Sequence, residues 1–517
     1  MPIRTFILIF VTAFGASGES FALPYDGLRL ADDEEEGWGE EEDEGEEGWG
    51  EDEEGDEDDF GFESTVDVSK ISIDTEQSSR AWELSLDGFL RSDFGVWTRR
   101  FEANPFAKAR QSLDLRLSYR HGFFSFVVAG HGEYDLAYLY ERDTYSPEDL
   151  EAYEYLVQLR DAYISFGFDS WELALGQQII TWGEGDVLSP IDVVNTRDQR
   201  EPGLADLDDI RVPALSTRLS YFFKGARYEL VVVHFPHYGM RPPPFGEFSP
   251  LPAALQSGPI RFDLDAIQSR KQFYYRDEPS GFSLNNQQYF FRFQYKGSGL
   301  DVAVHVASVL YREGVVSIEN TSELLDPTIE KVGVDFKHPR YMLAGVALAA
   351  PVGPFILKFE GVIEGQKPLG VIDSSNQNTF LSLAVNPTDV ITAMGHVTYS
   401  GLSDQTFTLE LQKSFALQLP DNIAIDPGAP VISLRTSHNF LRNDLQLDFL
   451  FTMFGWTANQ GLFARAEIGY NWFDGFNTSL GYIFYMPSEG TDELGPLSGY
   501  EFHDRLFLKV RYDFSIL

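Results

Sequence analysis

The chain has 517 residues and no cysteine. Disulfides, thiolate metal centres and a lipidated N-terminal cysteine are thereby excluded. Nor does any stretch reach the ~18 consecutive apolar residues that a membrane-spanning helix needs. Basic side chains are scarce, 39 against 81 acidic, for a net charge of -42. Nucleic acid is therefore not an expected partner, because binding phosphate requires positive charge. The motifs GxSxG, HExxH and the phosphate-binding P-loop are missing. On these grounds the protein is expected to be no enzyme, with no cofactor and no metal.

Two N-terminal segments stand apart. Residues 1–22 read as a secretory signal peptide, with Arg4 as its positive end, an apolar run from Phe6 to Phe14, and Ser20 and Ala22 at the cleavage site. Residues 23–75 are expected to form a disordered, acidic, Gly- and Trp-containing periplasmic segment. Twenty acidic residues and no basic one lie between Asp32 and Asp59, and EEGWGE occurs at 35–40 and again at 46–51. Such a composition buries too little apolar surface to offset chain entropy. Three roles remain open for it: a solvated spacer, a weak Ca²⁺ site, or a tether that docks Trp38 and Trp49 on a basic periplasmic partner.

The rest, 80–517, has a rhythm. Segments of ~10 residues alternate apolar and polar side chains, which puts the two kinds on opposite faces of a strand. Strands are expected near 82–96, 112–120, 124–134, 157–166, 171–181, 214–223, 226–235, 287–296, 299–311, 331–349, 354–365, 389–400, 404–413, 430–439, 444–454, 460–471, 476–486 and 504–514. The gaps between them alternate tight and long. Tight gaps such as 224–226 and 472–475 carry Gly, Pro, Asn or Asp, the usual turn formers. A transmembrane barrel has short turns on one side of the membrane and long loops on the other. The expected fold is therefore all-β: a closed antiparallel transmembrane β-barrel of 16–18 strands, eighteen preferred. It belongs in the outer membrane, with outer-membrane lipid and the barrel-assembly machinery as partners.

The polar faces carry charge at Arg116, Glu229, Arg292, Lys358, Glu360, Glu410, Arg435, Arg465 and Glu467, which are expected to line a water-filled lumen. Their mixed signs suggest cross-strand pairs that brace the wall. Trp82, Trp97, Tyr119, Trp171, Tyr221, Trp472, Tyr485 and Tyr512 suit interfacial girdles. The final strand, LFLKVRYDFSIL, resembles an outer-membrane recognition strand, with Leu517 where an aromatic is usual. His234 and His237, three apart in VHFPHYG, show no third metal ligand.

One loop is dense in specific-looking residues: GQQIITWGEGDVLSPIDVVNTRDQREPGLADLDDIRVP, 176–213. Trp182, Glu184, Asp186, Asp192, Asn195, Asp198, Arg200 and Arg211 are its candidate functional residues. Interleaved acids and bases can fold such a loop on itself through charge-assisted hydrogen bonds, and Asp192, Asp198, Arg200 and Arg211 are the expected members. The segment is similar to the signature of a proteobacterial outer-membrane family of unknown function, roughly GRQxxxWGExD, DVxNPxDxRE and RxP. Gly176, Gln178, Trp182, Gly183, Glu184, Asp186, Asp192, Asn195, Asp198, Arg200, Arg211 and Pro213 fall on that pattern; Gln177 stands for its Arg and Thr196 for its Pro. The stretch 340–368 resembles the same family's strand–PxG–strand unit, with Glu360 inward. The resemblance implies a large barrel, often encoded near RND-type transporters of hydrophobic molecules.

Two functions follow. One is a porin-like channel for a small hydrophobic or amphipathic solute, gated or narrowed by the 176–213 loop at an acidic, cation-favouring point. The alternative is a non-transport barrel that docks a periplasmic machine through its tail. For the loop itself, an external brace and an inward fold are both open.

Overall fold

The computed structural model describes residues 82–101, 105–140, 142–203, 210–249, 271–317, 328–372, 383–421, 427–488 and 495–516, with Pro252, Asp326 and Ile423. The expected signal peptide and acidic segment lie outside the described residues.

Alternating side chains give each strand one apolar and one polar face, and pairing neighbours in register extends both faces around a ring. Eighteen strands form one such sheet. The first, Glu83–Trp97, pairs antiparallel with the second, Phe106–His121, and also with the last, Arg505–Ser515, which closes the barrel. Between them, in chain order, come Phe124–Asp135, Tyr155–Phe168, Trp171–Gln178, Ala214–Phe223, Ala226–Val233, Gln288–Lys296, Asp301–Leu310 and Arg340–Val352. Phe355–Ile372, Leu383–Leu402, Gln405–Ala416, Val431–Phe440, Leu445–Phe454, Leu462–Phe473 and Phe476–Met486 complete the ring. Among the described residues, closure leaves the barrel sheet itself without a free edge.

Every second connection is tight, and both ends of the barrel chain lie on the tight side. At Lys224 and Gly225 φ is 47° and 78°. Positive φ at both central residues is what a two-residue hairpin turn of matching twist demands, and Gly supplies one of them without a steric penalty. The outward faces present Leu230, Phe291, Val304, Val306, Leu409, Leu411, Leu480 and Leu508, all exposed large apolar residues.

Four expectations change. The segment 331–349 is two elements: Lys331–Lys337 leaves the wall, and the barrel strand starts at Arg340, after a break at His338 and Pro339. Lys331–Lys337 sits between Gln272–Glu278, its parallel partner, and Val315–Ser317 in a small sheet built from two long loops. The second strand begins at Phe106 rather than 112, so Lys108 and Arg110 belong to the wall. The fifth ends at Gln178, three residues early, where Ile179 donates its N–H to Asp161 Oδ1 at 3.0 Å instead of continuing the ladder. Finally, Trp97 and Tyr485 are 5% and 0% exposed and form no girdle. They pack inside with Phe248, Leu497 and Tyr500, whereas Trp82, Trp171, Trp472 and Tyr512 are exposed.

Candidate functional site

The loop that leaves the wall at Gln178 returns at Ala214, and Asn195 closes its base. Its Oδ1 accepts from Ile180 N–H at 2.7 Å, and its Nδ2 donates to the carbonyls of Gln178 (3.1 Å) and Val212 (2.9 Å). Arg312 donates to the Asn195 carbonyl at 2.6 Å. Thr196–Arg197 and Arg211–Val212 then pair as a two-stranded ribbon. Asp192 is 1% exposed and accepts from Arg197 at 3.4 Å and Arg211 at 3.1 Å. Asp198 holds Arg200 at 2.7 Å. Asp192, Asp198, Arg200 and Arg211 are thus all in ion pairs within the loop.

The loop's other bonds reach the barrel wall at widely separated strands. Trp182 is buried, and its Nε1–H donates to Glu229 at 2.7 Å. Phe290 and His305 flank its ring at 5.8 and 5.3 Å. Glu360 accepts from the N–H of Glu184 (2.5 Å), Gly185 (3.1 Å) and Ile191 (3.2 Å) and from Ser189 Oγ (2.9 Å). Glu410 accepts from the N–H of Asp186 (2.6 Å), Val187 (3.1 Å) and Leu188 (2.8 Å). Asp186 Oδ1 lies 3.5 Å from Lys358 Nζ. At the far end Glu201 bonds Lys108 at 2.5 Å and Arg110 at 2.9 Å. Arg200 reaches Glu133 at 3.5 Å, and Tyr485 OH donates to the Pro202 carbonyl. Strands from opposite parts of a closed ring can all meet one segment only from inside. The loop therefore crosses the barrel interior and is no external brace.

Two kinds of force hold it. Ile180, Trp182, Ile191, Val193 and Val194 form one apolar cluster with Val231, Val233, Phe290, Leu343 and Val362 of the wall. Here the loop rather than water covers the inner face, so Glu229, Glu360 and Glu410, expected to line a water-filled lumen, are instead buried under it. The second force is ionic: hydrogen bonds to charged groups contribute about 1.5–3 kcal/mol each. Burial pushes the Glu184 carboxyl up from its ordinary value, with Lys358 acting against that. Burial would also raise Glu201, but Arg110, Lys108 and Arg505 outweigh it and hold that carboxyl down at about 2.

Beyond the loop, charges brace the wall both along single strands and across them. Arg91–Asp93, Arg465–Glu467 and Arg511–Asp513 pair two residues apart, at 3.0, 2.5 and 2.6 Å. Arg227 and Glu229 form the same kind of pair. The period of two puts such residues on one face. Expected cross-strand pairs also occur: Arg292–Glu229 at 3.0 Å and Arg116–Asp161 at 3.1 Å. Arg435 lies half-buried in its strand. Among the described residues Asp186, His396 and Glu410 bring ligand-type atoms within 4.8 Å of one another. Both Glu410 oxygens, however, already accept loop N–H groups, and His396 Nδ1 is 2.9 Å from one of them. His234 Nε2 lies 2.9 Å from Thr217 Oγ1.

Sequence reasoning missed Lys108, Arg110, Glu133, Glu201, His396 and Arg505. Glu201 closes the DxRE run and could have been found there. Lys108 and Arg110 were concealed by the late start expected for their strand.

An eighteen-stranded closed barrel crossed by an ordered inner loop defines the structural class. The chain matches the family described as protein of unknown function (DUF1302) over residues 5–505, and it belongs to that family. No curated protein matches it. Solved structures similar to it include Acinetobacter baumannii OccAB3, at 11% identity over 84% of this chain and 100% of that one, with TM-score 0.47. OpdK from Pseudomonas aeruginosa is similar at 11% identity, 84% and 99% coverage and TM-score 0.45. A BenF-like porin from Pseudomonas fluorescens Pf-5 is similar at 12%, 84% and 99%, and 0.46.

Proposed function

We propose that this protein is an outer-membrane channel whose lumen is narrowed by the loop 179–213, and that it passes a small amphipathic solute. The observation that carries this reading is the loop's attachment to opposite walls, at Glu360 and Glu410 on one side and at Lys108 and Arg110 on the other. A brace for the rim would need no such crossing. Apolar outer faces suit lipid, while charged pairs such as Arg465–Glu467 suit a hydrated interior. Long loops held inside a barrel act on whatever passes. The parity of turns and loops supports a periplasmic position for the tight turns and for the acidic tail.

Purified protein in a planar bilayer tests this. Discrete current steps are expected, and deleting 184–209 should enlarge them. A correctly assembled barrel that carries no current, with or without the loop, would overturn the reading.

A further inference from the structure

We propose that Glu360 and Glu410 form a carboxylate latch that holds segment 184–191 across the lumen, and that neutralising them by substitution releases the segment and widens the channel. The widening rests on the channel reading above; the release does not.

The geometry is specific. Five consecutive main-chain N–H groups, from Glu184 to Leu188, point at two wall carboxylates: the first two at Glu360, the next three at Glu410. Successive N–H groups that converge in this way form an anion-binding concavity. Ile191 N–H and Ser189 Oγ complete the shell of Glu360. The two strands are not neighbours, since Leu383–Leu402 lies between them. The segment therefore lies across that strand and is held at both sides.

At each carboxylate both oxygens accept from the loop. A glutamine amide must turn its NH2, which has no acceptor, toward one of those N–H groups, so at least one bond is lost and a donor faces a donor. A merely polar residue cannot replace the anion. The charged and titratable groups around the latch are few. Lys358, on the strand of Glu360, faces Asp186 of the loop at 3.5 Å. Glu184 and Asp186 come from the loop itself. His396, the cross-strand partner of Glu410, sits 2.9 Å from its Oε1. The remaining cross-strand partners, Ala347 and Met394 for Glu360 and Ser433 for Glu410, are uncharged.

The native lack of cysteine makes a distance test clean. Val187→Cys on the loop and Ser403→Cys on a tight turn carry spin labels in the full-length, assembled protein. A narrow distance distribution is expected in this parent protein. E360Q/E410Q in the same background should give a broad one. In a bilayer the double variant should conduct at least about twofold more than wild type. A distribution that stays narrow in the double variant overturns the latch. If E360Q/E410Q does not assemble, the single variants E360Q and E410Q decide: a narrow distribution in both overturns the latch. Distances that broaden in a protein without current leave the latch standing and remove only the channel reading.

Discussion

Trp182 joins an apolar contact and a charge in one side chain. Its ring fills the space between Phe290 and His305, while its Nε1–H is one of the donors that satisfy the buried Glu229. Trp182→Ala leaves a cavity and removes that donor, at a cost of about 3–5 kcal/mol in loop docking. Amide exchange across 180–194 should then accelerate by roughly a hundredfold or more, while the wall strands keep their protection. Unchanged exchange would show that the indole only fills space. Glu201 acts at the other end of the loop through charge alone. Its folded value of about 2 lies below the ordinary 4.5, so its pairing with Lys108 and Arg110 stabilises the loop above the ordinary value. That contribution is lost as pH falls from about 4.5 toward 2. Glu201→Gln should speed exchange in 196–203 at neutral pH and abolish its acid dependence within that window. A variant that retains the same acid profile would assign the dependence to another group.

The inner loop turns on a glycine. Gly183 has φ +106°, and a Cβ there would lie 2.0 Å from Ser189 Oγ and 2.9 Å from Glu360 Oε1. Gly183→Ala must therefore displace the segment from its carboxylates without altering any charge. It should reproduce the spin-label broadening of the glutamine variants at neutral pH while the barrel still assembles. A narrow distribution in that variant would mean that the bend can shift without unlatching. The strand pattern was legible because alternation and turn residues are local signals: 214–223 and 476–486 are found as expected. The strand around 331–349 misled because Lys331–Lys337 alternates as well as any wall strand, and only its partners show that it has left the barrel. The same limit applies to the loop. Asp192, Asn195, Asp198, Arg200 and Arg211 are recognisable from their density in one segment. That Asp186 to Leu188 would seat on Glu410, more than two hundred residues away, depends on ring closure and register, which no local window contains.

Charge balance in the barrel gives the loop's removal a direction. The stretch 184–209 holds eight acidic and two basic residues. Those that face the wall are matched: Asp186 by Lys358, and Glu201 by Lys108 and Arg110. The wall in turn offers Glu360 and Glu410 to main-chain N–H groups, which carry no net charge. With the loop in place, its described acids are largely neutralised, so the expected acidic constriction is milder than the count of carboxylates suggests. Deleting 184–209 removes net negative charge and leaves Lys108, Arg110 and Lys358 without those partners. Cation preference should therefore fall, because the lumen potential becomes more positive where field lines are focused by low-dielectric walls. Conductance should rise at the same time, since the obstruction is gone. Reversal potential in a salt gradient reads the first effect and single-channel current the second. Lys108→Ala and Arg110→Ala in the deletion background should restore part of the cation preference without reducing current. If the deletion raises current but leaves reversal potential unchanged, selectivity resides in wall pairs such as Arg465–Glu467 and Arg511–Asp513, and the loop acts by steric obstruction alone.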